Sequence, residues 1–186
     1  MGFLIKHIDN ERATEFFTNA YTTIFSKKES ERHKEQLALI KEELPLFLDV
    51  TQSSFDKNIT AVNLVWLDIA WTKYCMGQRI STGKLNRISK VIDFTLGPKR
   101  DIEAKFPKLN SYSELYDLYN QAFGSSNTDG NTVMAQEFLN QIIDNFNRKT
   151  ELSAEDVEEI ISIFSAQFAG IYDTSLQNIK SYAPVH

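Results

Sequence analysis

Cysteine, glycine and proline are all scarce in this chain. It has one cysteine, Cys75, among 186 residues, with seven glycines and four prolines. A single cysteine excludes an intramolecular disulfide and a cysteine-based zinc site, and so few glycines and prolines argue against a loop-rich or all-β protein. No apolar run approaches the roughly 20 residues of a membrane-spanning helix, and residues 1–7 lack the apolar run of a signal peptide. We therefore expect a cytoplasmic protein without a membrane partner.

Aromatic residues are the most distinctive component of what the chain does contain. Phe, Tyr and Trp make up 12% of it, within an ordinary content of 42% hydrophobic and 24% charged residues. A chain of this length can bury about 70% of its unfolded surface, which favours one domain over residues 1–186 rather than two marginal ones. Aromatic side chains bury large areas and are also common at protein interfaces.

Apolar residues recur at helical spacing along most of the chain, and no segment alternates like a strand. The sequence predicts an all-α, single-domain bundle of seven or eight helices around a buried central helix, residues 59–76, which is apolar almost all round. Polar connections are predicted at 27–30 and 51–57, and Gly97-Pro98 is predicted to end a helix. The other helices are expected at about residues 10–26, 31–44, 84–96, 113–123, 132–148 and 154–182.

Capping residues mark the first and last of these helices. Asp9 or Asn10 can cap the first. Ser153 and Asp156 occupy the positions of a capping box before the last helix, with Asp in place of the usual Glu or Gln. That helix is expected to continue to about residue 182 unless Gly170 bends it.

The sequence lacks a convincing set of metal ligands. The histidines His7, His33 and His186 do not pair at a ligand spacing, and His33 lies in a run of charged residues that predicts a solvated side chain. A loop before residue 132 resembles an EF-hand in outline, but its first and twelfth positions hold Ser125 and Gln136 instead of Asp and Glu. We expect no metal site, and interpret this loop as a polar turn that caps the next helix.

Catalytic motifs are absent from the sequence as well. No phosphate-binding glycine loop or nucleophilic serine elbow occurs, so we predict no catalytic residues and no cofactor. Asp68 is the acidic residue of the central apolar helix. We expect it to pair with a Lys or Arg from a neighbouring helix, to be exposed at a gap in the packing, or to line a pocket with Trp66 and Trp71. Cys75 is expected to be a buried, unreactive thiol.

Positive charge is concentrated in the middle of the chain. Residues 73–108 carry nine positive and three negative side chains, a net charge of +6, whereas the whole chain is −5 and the remainder is therefore −11. Such segregation bears on partners and steering rather than on fold. The candidate binding residues are Arg79, Lys84, Arg87, Lys90, Phe94, Lys99 and Arg100.

Three functions compete on these observations. We favour a non-enzymatic protein-interaction module, such as an inhibitor, immunity-type protein or adaptor, that binds another protein through this basic and aromatic face. One alternative is a nucleic-acid-binding regulator that uses the basic segment 73–108. Another is a small-molecule enzyme or sensor with a pocket at Trp66, Asp68 and Trp71. The long C-terminal helix could serve a homodimer as easily as a monomer core.

Overall fold

The computed structural model describes residues 9–77, 96–124, 129–144, 146 and 152–182. Over these residues the chain forms seven α-helices and no strand, which confirms the predicted all-α fold. Short 3₁₀ helices lie at Pro45–Phe47 and Pro107–Tyr112. The α-helices are α1 (Asn10–Ile24), α2 (Lys27–Glu43), α3 (Gln52–Gly77), α4 (residues 96–103), α5 (Ser113–Gly124), α6 (Gly130–Ile142) and α7 (Ala154–Tyr182).

Side-chain caps set where α1 and α2 begin. Asp9 Oδ1 accepts a hydrogen bond from Arg12 N at 3.1 Å, which confirms the predicted cap of α1. Ser26 Oγ accepts one from Glu29 N at 3.1 Å, so α2 starts at Lys27. The predicted connection at 27–30 is therefore wrong, because a serine cap can open a helix even where its first turn is entirely polar.

The predicted connection at 51–57 is wrong for the same reason. Thr51 Oγ1 accepts a hydrogen bond from Ser54 N at 3.1 Å, and α3 begins at Gln52, well before its apolar stretch. Pro45 does end α2, as expected, and opens the 3₁₀ turn Pro45–Phe47. Proline suits this first position because the N–H it lacks would have no intrahelical partner there.

Two helices differ from their predicted ends. Helical backbone runs through Gly97 and Pro98 to residue 103, so these two residues do not stop a helix as predicted. Residues 84–95 of the helix predicted there lie outside the described residues. α6 ends at Ile142 rather than near residue 148, because Ile143 is already extended. Ile143 stays buried outside the helix, which is why its apolar character did not mark the helix end.

α7 begins and ends where the sequence predicts, and it is continuous through Gly170. Ser153 Oγ accepts a hydrogen bond from Asp156 N at 3.1 Å, and Asp156 Oδ2 accepts one from Ser153 N at 3.0 Å, which confirms the capping box. Hydrogen bonds from Ser153 lower the pKa of Asp156 below its usual value. The carboxylate is thus held ionised beside the positive end of the helix dipole.

The chain divides into two compact units, and α3 and α7 each contribute to both. The first unit draws on Met1–Thr23, Trp66–Ser111 and Tyr172–His186, and the second on Ile24–Val65 and Tyr112–Ile171. One domain over residues 1–186 stays a prediction.

Aromatic rings fill the core of the first unit. The Trp71 ring lies 5.1 Å from that of Phe17, edge to face, and 6.3 Å from that of Phe16. The Tyr21 and Phe106 rings meet edge to face at 5.9 Å. Such pairs add specific ring geometry to the large area that each side chain buries. The described part of α1 is thereby held against the second half of α3.

A second aromatic cluster forms the core of the other unit. The Phe138 ring on α6 lies 5.9 Å from that of Phe55 on α3, and 5.4 Å from those of Phe164 and Phe168 on α7. The Phe47 ring stacks on that of Phe164 at 5.6 Å. The cluster therefore joins α3, α6, α7 and the Pro45–Phe47 turn.

Close contacts also fix α5 in the second unit. Tyr119 Oη donates a hydrogen bond to Asn58 Oδ1 on α3 at 2.5 Å. Burial, with a smaller contribution from Glu137, raises the pKa of Tyr119 above its usual value. A Cβ at Gly130 would overlap the Phe123 ring, so glycine at the start of α6 permits the close approach of α5.

Candidate functional site

The predicted basic face is only partly described by the structure. Arg79, Lys84, Arg87, Lys90 and Phe94 lie outside the described residues, and their binding role stays a prediction. Lys99 and Arg100 are described, and they differ in exposure. Lys99 is buried, with 8% of its surface exposed, whereas Arg100 is exposed. The charge of Lys99 is therefore not presented on the surface as predicted, because this side chain is engaged inside the first unit.

Asp68 and Lys99 form an ion pair within the first unit. Lys99 Nζ lies 2.5 Å from Asp68 Oδ1, and the two side chains are 9% and 16% exposed. The ammonium also lies 5.8 Å from the centre of the Phe17 ring, whose face attracts a cation. Of the expectations for Asp68, pairing with a lysine is confirmed. Burying either charge alone would cost free energy, and each charge compensates the other in the pair.

Trp66 and Trp71, the two tryptophans of the predicted pocket, are both buried. Trp71 has no exposed surface and is packed by the rings of Phe16 and Phe17. Trp66 is 2% exposed, and its ring lies 5.5 Å from that of Tyr172. Both tryptophan rings are thus packed against other aromatic side chains. The small-molecule function stays a prediction, and these contacts do not favour it.

Tyr21 lies close to the same ion pair. Burial raises the pKa of Tyr21 above its usual value of about 10, and the negative charges of Asp68 and Glu103 raise it further. A tyrosinate at this position would add a negative charge to those of Asp68 and Glu103.

This raised pKa makes the stability of the protein depend on alkaline pH. Above about pH 10 the unfolded chain loses the Tyr21 proton while the folded chain keeps it, so the free energy of unfolding falls as pH rises. We expect Tyr21→Phe to make that fall shallower by up to about 1.4 kcal/mol per pH unit, measured by urea unfolding. The same variant should leave the tyrosinate absorbance of the folded protein unchanged. A loss of that absorbance would contradict the prediction, since it would mean that Tyr21 ionises without unfolding.

His33 is buried, so the prediction of a solvated histidine is wrong. Helical spacing places it on the same side of α2 as Ser30 and Leu37, facing the start of α3. Its Nδ1 lies 2.6 Å from Asp56 Oδ1, and Ser30 Oγ donates a hydrogen bond to Asp56 Oδ2 at 3.1 Å. His33 Nε2 lies 3.5 Å from Glu29 Oε1. The cluster joins α2 to α3.

Metal and membrane features are not found in the described part of the chain. No three His, Cys, Asp or Glu side chains there gather as a metal site would require. Asp129 caps α6 by accepting a hydrogen bond from Asn131 N at 3.1 Å, as the interpretation of that loop as a capping turn predicts. None of the described helices is both long and apolar enough to cross a bilayer. Cys75 is a buried thiol, as expected.

An open apolar groove lies on the second unit, where α2 ends. Leu44 stops the helix in an extended conformation, and Pro45–Phe47 turns the chain. Phe47 points inward and is fully buried on Phe164, whereas Leu48 is left 61% exposed. Lys41 Nζ donates a hydrogen bond to Leu48 O at 3.0 Å, which ties this turn to α2. The turn forms one wall of the groove.

The first turns of α7 form the other wall. Asp156, Ile160 and Ile163 recur at helical spacing on one side of this helix, with Glu159 beside them. Ile163 is 51% exposed, although its neighbour Phe164 is buried in the aromatic cluster. The groove encloses about 580 Å³. Its lining residues are Leu44, Pro45, Leu46, Leu48, Asp49, Leu152, Asp156, Glu159, Ile160 and Ile163.

The groove combines apolar surface with negative charge. Seven of its described lining residues are apolar, three are acidic and none is basic. Both walls carry acid: Asp49 lies on the turn, and Asp156 and Glu159 lie on α7. Such a surface favours contact with a molecule that is apolar in part and positively charged.

Sequence reasoning missed this groove. In the sequence, Leu46 and Leu48 follow Pro45, and the last helix begins with several acidic residues. The available signal was a short apolar run around a proline, outside any predicted helix. It was ambiguous because the same run contains Phe47, which is core. Only the packing of the turn against α7 shows that Phe47 is buried and that Leu48 is exposed.

Comparisons of this chain with protein-family models, with curated proteins and with solved structures found no match.

Proposed function

We propose that this protein is a non-enzymatic interaction module that binds a basic partner protein in the groove between the turn at residues 44–49 and α7. The observation that carries the proposal is the exposure of Leu48 and Ile163 beside three carboxylates. Exposed large apolar residues that lie together and are rimmed by polar groups are typical of interaction sites.

The openness of the groove favours a protein over a small molecule. Small-molecule pockets bury most of the surface of their ligand, whereas Leu48 and Ile163 each have more than half of their surface in solvent. A partner that covers them would gain roughly 25 cal/mol for each Å² of apolar surface removed from water. A few residues that become fully buried at the centre of an interface supply most of the affinity in protein complexes.

Charge supports a basic partner. Asp49, Asp156 and Glu159 would repel nucleic acid and other anions, and they would attract Lys and Arg side chains at the rim. The lowered pKa of Asp156 keeps one of these charges present well into the acidic range. The proposal retains the expected protein partner but assigns it to a surface other than the predicted basic face. It also retains the expected cytoplasmic location, because a chain with one cysteine draws no stability from an intramolecular disulfide.

Site-specific photo-crosslinking in the source cells tests the proposal. A benzophenone amino acid at position 48 should give a protein adduct, because this position faces the bound partner. Leu39 provides a matched control, since it is a leucine of nearly equal exposure, 63% against 61%, and does not line the groove. The adduct at position 48 should fall by roughly tenfold when Ile163→Asp is added, an effect of about 1.4 kcal/mol.

The pattern across positions decides the outcome. An adduct at position 48 that Ile163→Asp removes supports the proposal. Equal adducts at positions 39 and 48, or an adduct insensitive to Ile163→Asp, would overturn it. Circular dichroism of the Ile163→Asp variant should match the parent, because a side chain that is half exposed can accept a charge without unfolding the core.

A further inference from the structure

We infer that the partner presents an amphipathic α-helix to this groove, with Lys or Arg on both sides of its apolar stripe. This inference rests on the proposed function and specifies the partner's chemistry. It depends on three features of the groove: the spacing of its α7 wall, the absence of a strand edge in the described residues, and the position of its carboxylates.

The spacing of the α7 wall suits a second helix. Asp156, Ile160 and Ile163 span two turns of α7, which is about 10 Å along its axis. Side chains in such rows form ridges between which the side chains of another helix insert. A bound helix with apolar residues at i, i+3 or i+4, and i+7 covers the same length. Its middle anchor would meet Leu48 from the opposite wall.

Backbone hydrogen bonding also favours a helix over an extended peptide. An extended peptide that adds as a β-strand needs an exposed strand to pair with its N–H and C=O groups, and the described residues contain no strand. Its backbone would therefore lie against Leu48 and Ile163 with polar groups unpaired, which costs about 1–3 kcal/mol for each buried group. A helix satisfies its own backbone and can offer an apolar face without this cost.

The carboxylates determine where the partner's charges lie. Asp49 is on one wall, and Asp156 and Glu159 are on the other. A helix resting between the walls therefore has acid on both of its flanks, so basic residues are favoured on both sides of its apolar stripe. Because these pairs lie at an exposed rim, they contribute mainly to association rate and to the choice of partner, and their effect weakens with salt.

Three fluorescent synthetic peptides test the inference against the full chain by fluorescence anisotropy. The first carries Leu at helical spacing with Lys at the flanking positions. The second has the same composition in an order without a helical stripe. The third keeps the stripe and has Glu in place of Lys. We expect the first to bind at least roughly tenfold more tightly than the others, and to lose affinity on Glu159→Lys and on Leu48→Ser but not on Leu39→Ser.

The outcomes separate this inference from the function on which it rests. Equal binding of the first two peptides would overturn the helix, and tighter binding of the acidic peptide would overturn the basic flanks. If none of the three peptides binds while position 48 still crosslinks to a protein and position 39 does not, the inference fails and the proposed function stands. If the crosslinking contrast is also lost, both fail. Binding that Leu39→Ser lowers as much as Leu48→Ser would place the peptide outside the groove and would overturn the inference.

Discussion

Replacing Lys99 with methionine should lower the free energy of unfolding by about 3–5 kcal/mol, the cost of leaving one member of a buried ion pair alone. Lys99 Nζ lies 2.5 Å from Asp68 Oδ1, and both side chains are more than four-fifths buried. Methionine retains most of the lysine stem, so packing against Phe17 changes little. What is lost is the positive charge, and the Asp68 carboxylate remains in an aromatic interior. Urea unfolding, followed by circular dichroism, measures the loss.

Two further variants isolate the charge pair. The double variant Asp68→Leu with Lys99→Met should recover most of the lost stability, because replacing both charges by apolar groups removes the buried charge altogether. Arg100→Met is the matched control: this neighbouring cation is exposed, and its loss should change stability by no more than about 0.5 kcal/mol. A loss for Lys99→Met as small as that of Arg100→Met would mean that the pair is solvated and would contradict the prediction.

Lys99→Met also bears on the predicted basic face. If Lys99 contacted a partner, the variant would weaken partner binding in proportion to the lost contact. The structure instead predicts a stability loss with partner crosslinking at position 48 retained, as long as the variant is studied below its unfolding temperature. The two measurements together distinguish an internal lysine from a surface one.

The second large effect is expected in the other unit, at Phe138. Phe138→Ala should lower the free energy of unfolding by about 3–5 kcal/mol, because it removes a ring and leaves a cavity. The ring has no exposed surface and lies within 6 Å of the rings of Phe55, Phe164 and Phe168. Thermal and urea unfolding of the variant provide the measurement.

A series at neighbouring positions shows whether the effect belongs to the core. Phe138→Leu keeps part of the volume and should cost clearly less than Phe138→Ala. Leu48 and Ile163 line the groove and are at least half exposed. Leu48→Ala and Ile163→Ala should therefore each lower the free energy of unfolding by less than about 1 kcal/mol. Similar losses at Phe138 and Ile163 would contradict the separation of core and groove. The expected contrast is loss of stability at Phe138 and loss of partner binding at Leu48 and Ile163.

Much of the helical architecture was predictable from local sequence. α5 and α7 lie close to their expected bounds, and Asp9 and Ser153 cap helices as expected. A cap and the first turn that it stabilises lie within four residues of each other, so their interaction can be predicted from a short stretch of sequence. The caps of α2 and α3, Ser26 and Thr51, are local features of the same kind. They were overlooked because apolar periodicity carries no information about a polar first turn.

The candidate site was less predictable. Asp68 was expected to pair with some Lys or Arg, but nothing near it in the sequence nominates Lys99. His33 stands among charged residues, and only the packing of α2 on α3 buries it against Asp56. The groove draws its two walls from distant parts of the chain. Contacts of this kind depend on how the helices pack against one another. The spacing of residues within one helix carries no information about that packing.

The sequence by itself determined that this protein is helical, that residues 59–76 form a helix that is apolar almost all round, and that the familiar catalytic and metal-binding motifs are absent from the sequence. These properties follow from composition and from interactions over one or two helical turns. Only the tertiary structure decided that Lys99 faces Asp68 and that Leu48 stays exposed while Phe47 is buried. The reason is that the charge and hydrophobicity of a side chain determine which environment is favourable for it. Its actual partner and exposure depend on which other helices and turns pack against it. For this chain that decision moves the proposed binding surface from a basic segment to an acidic, apolar groove.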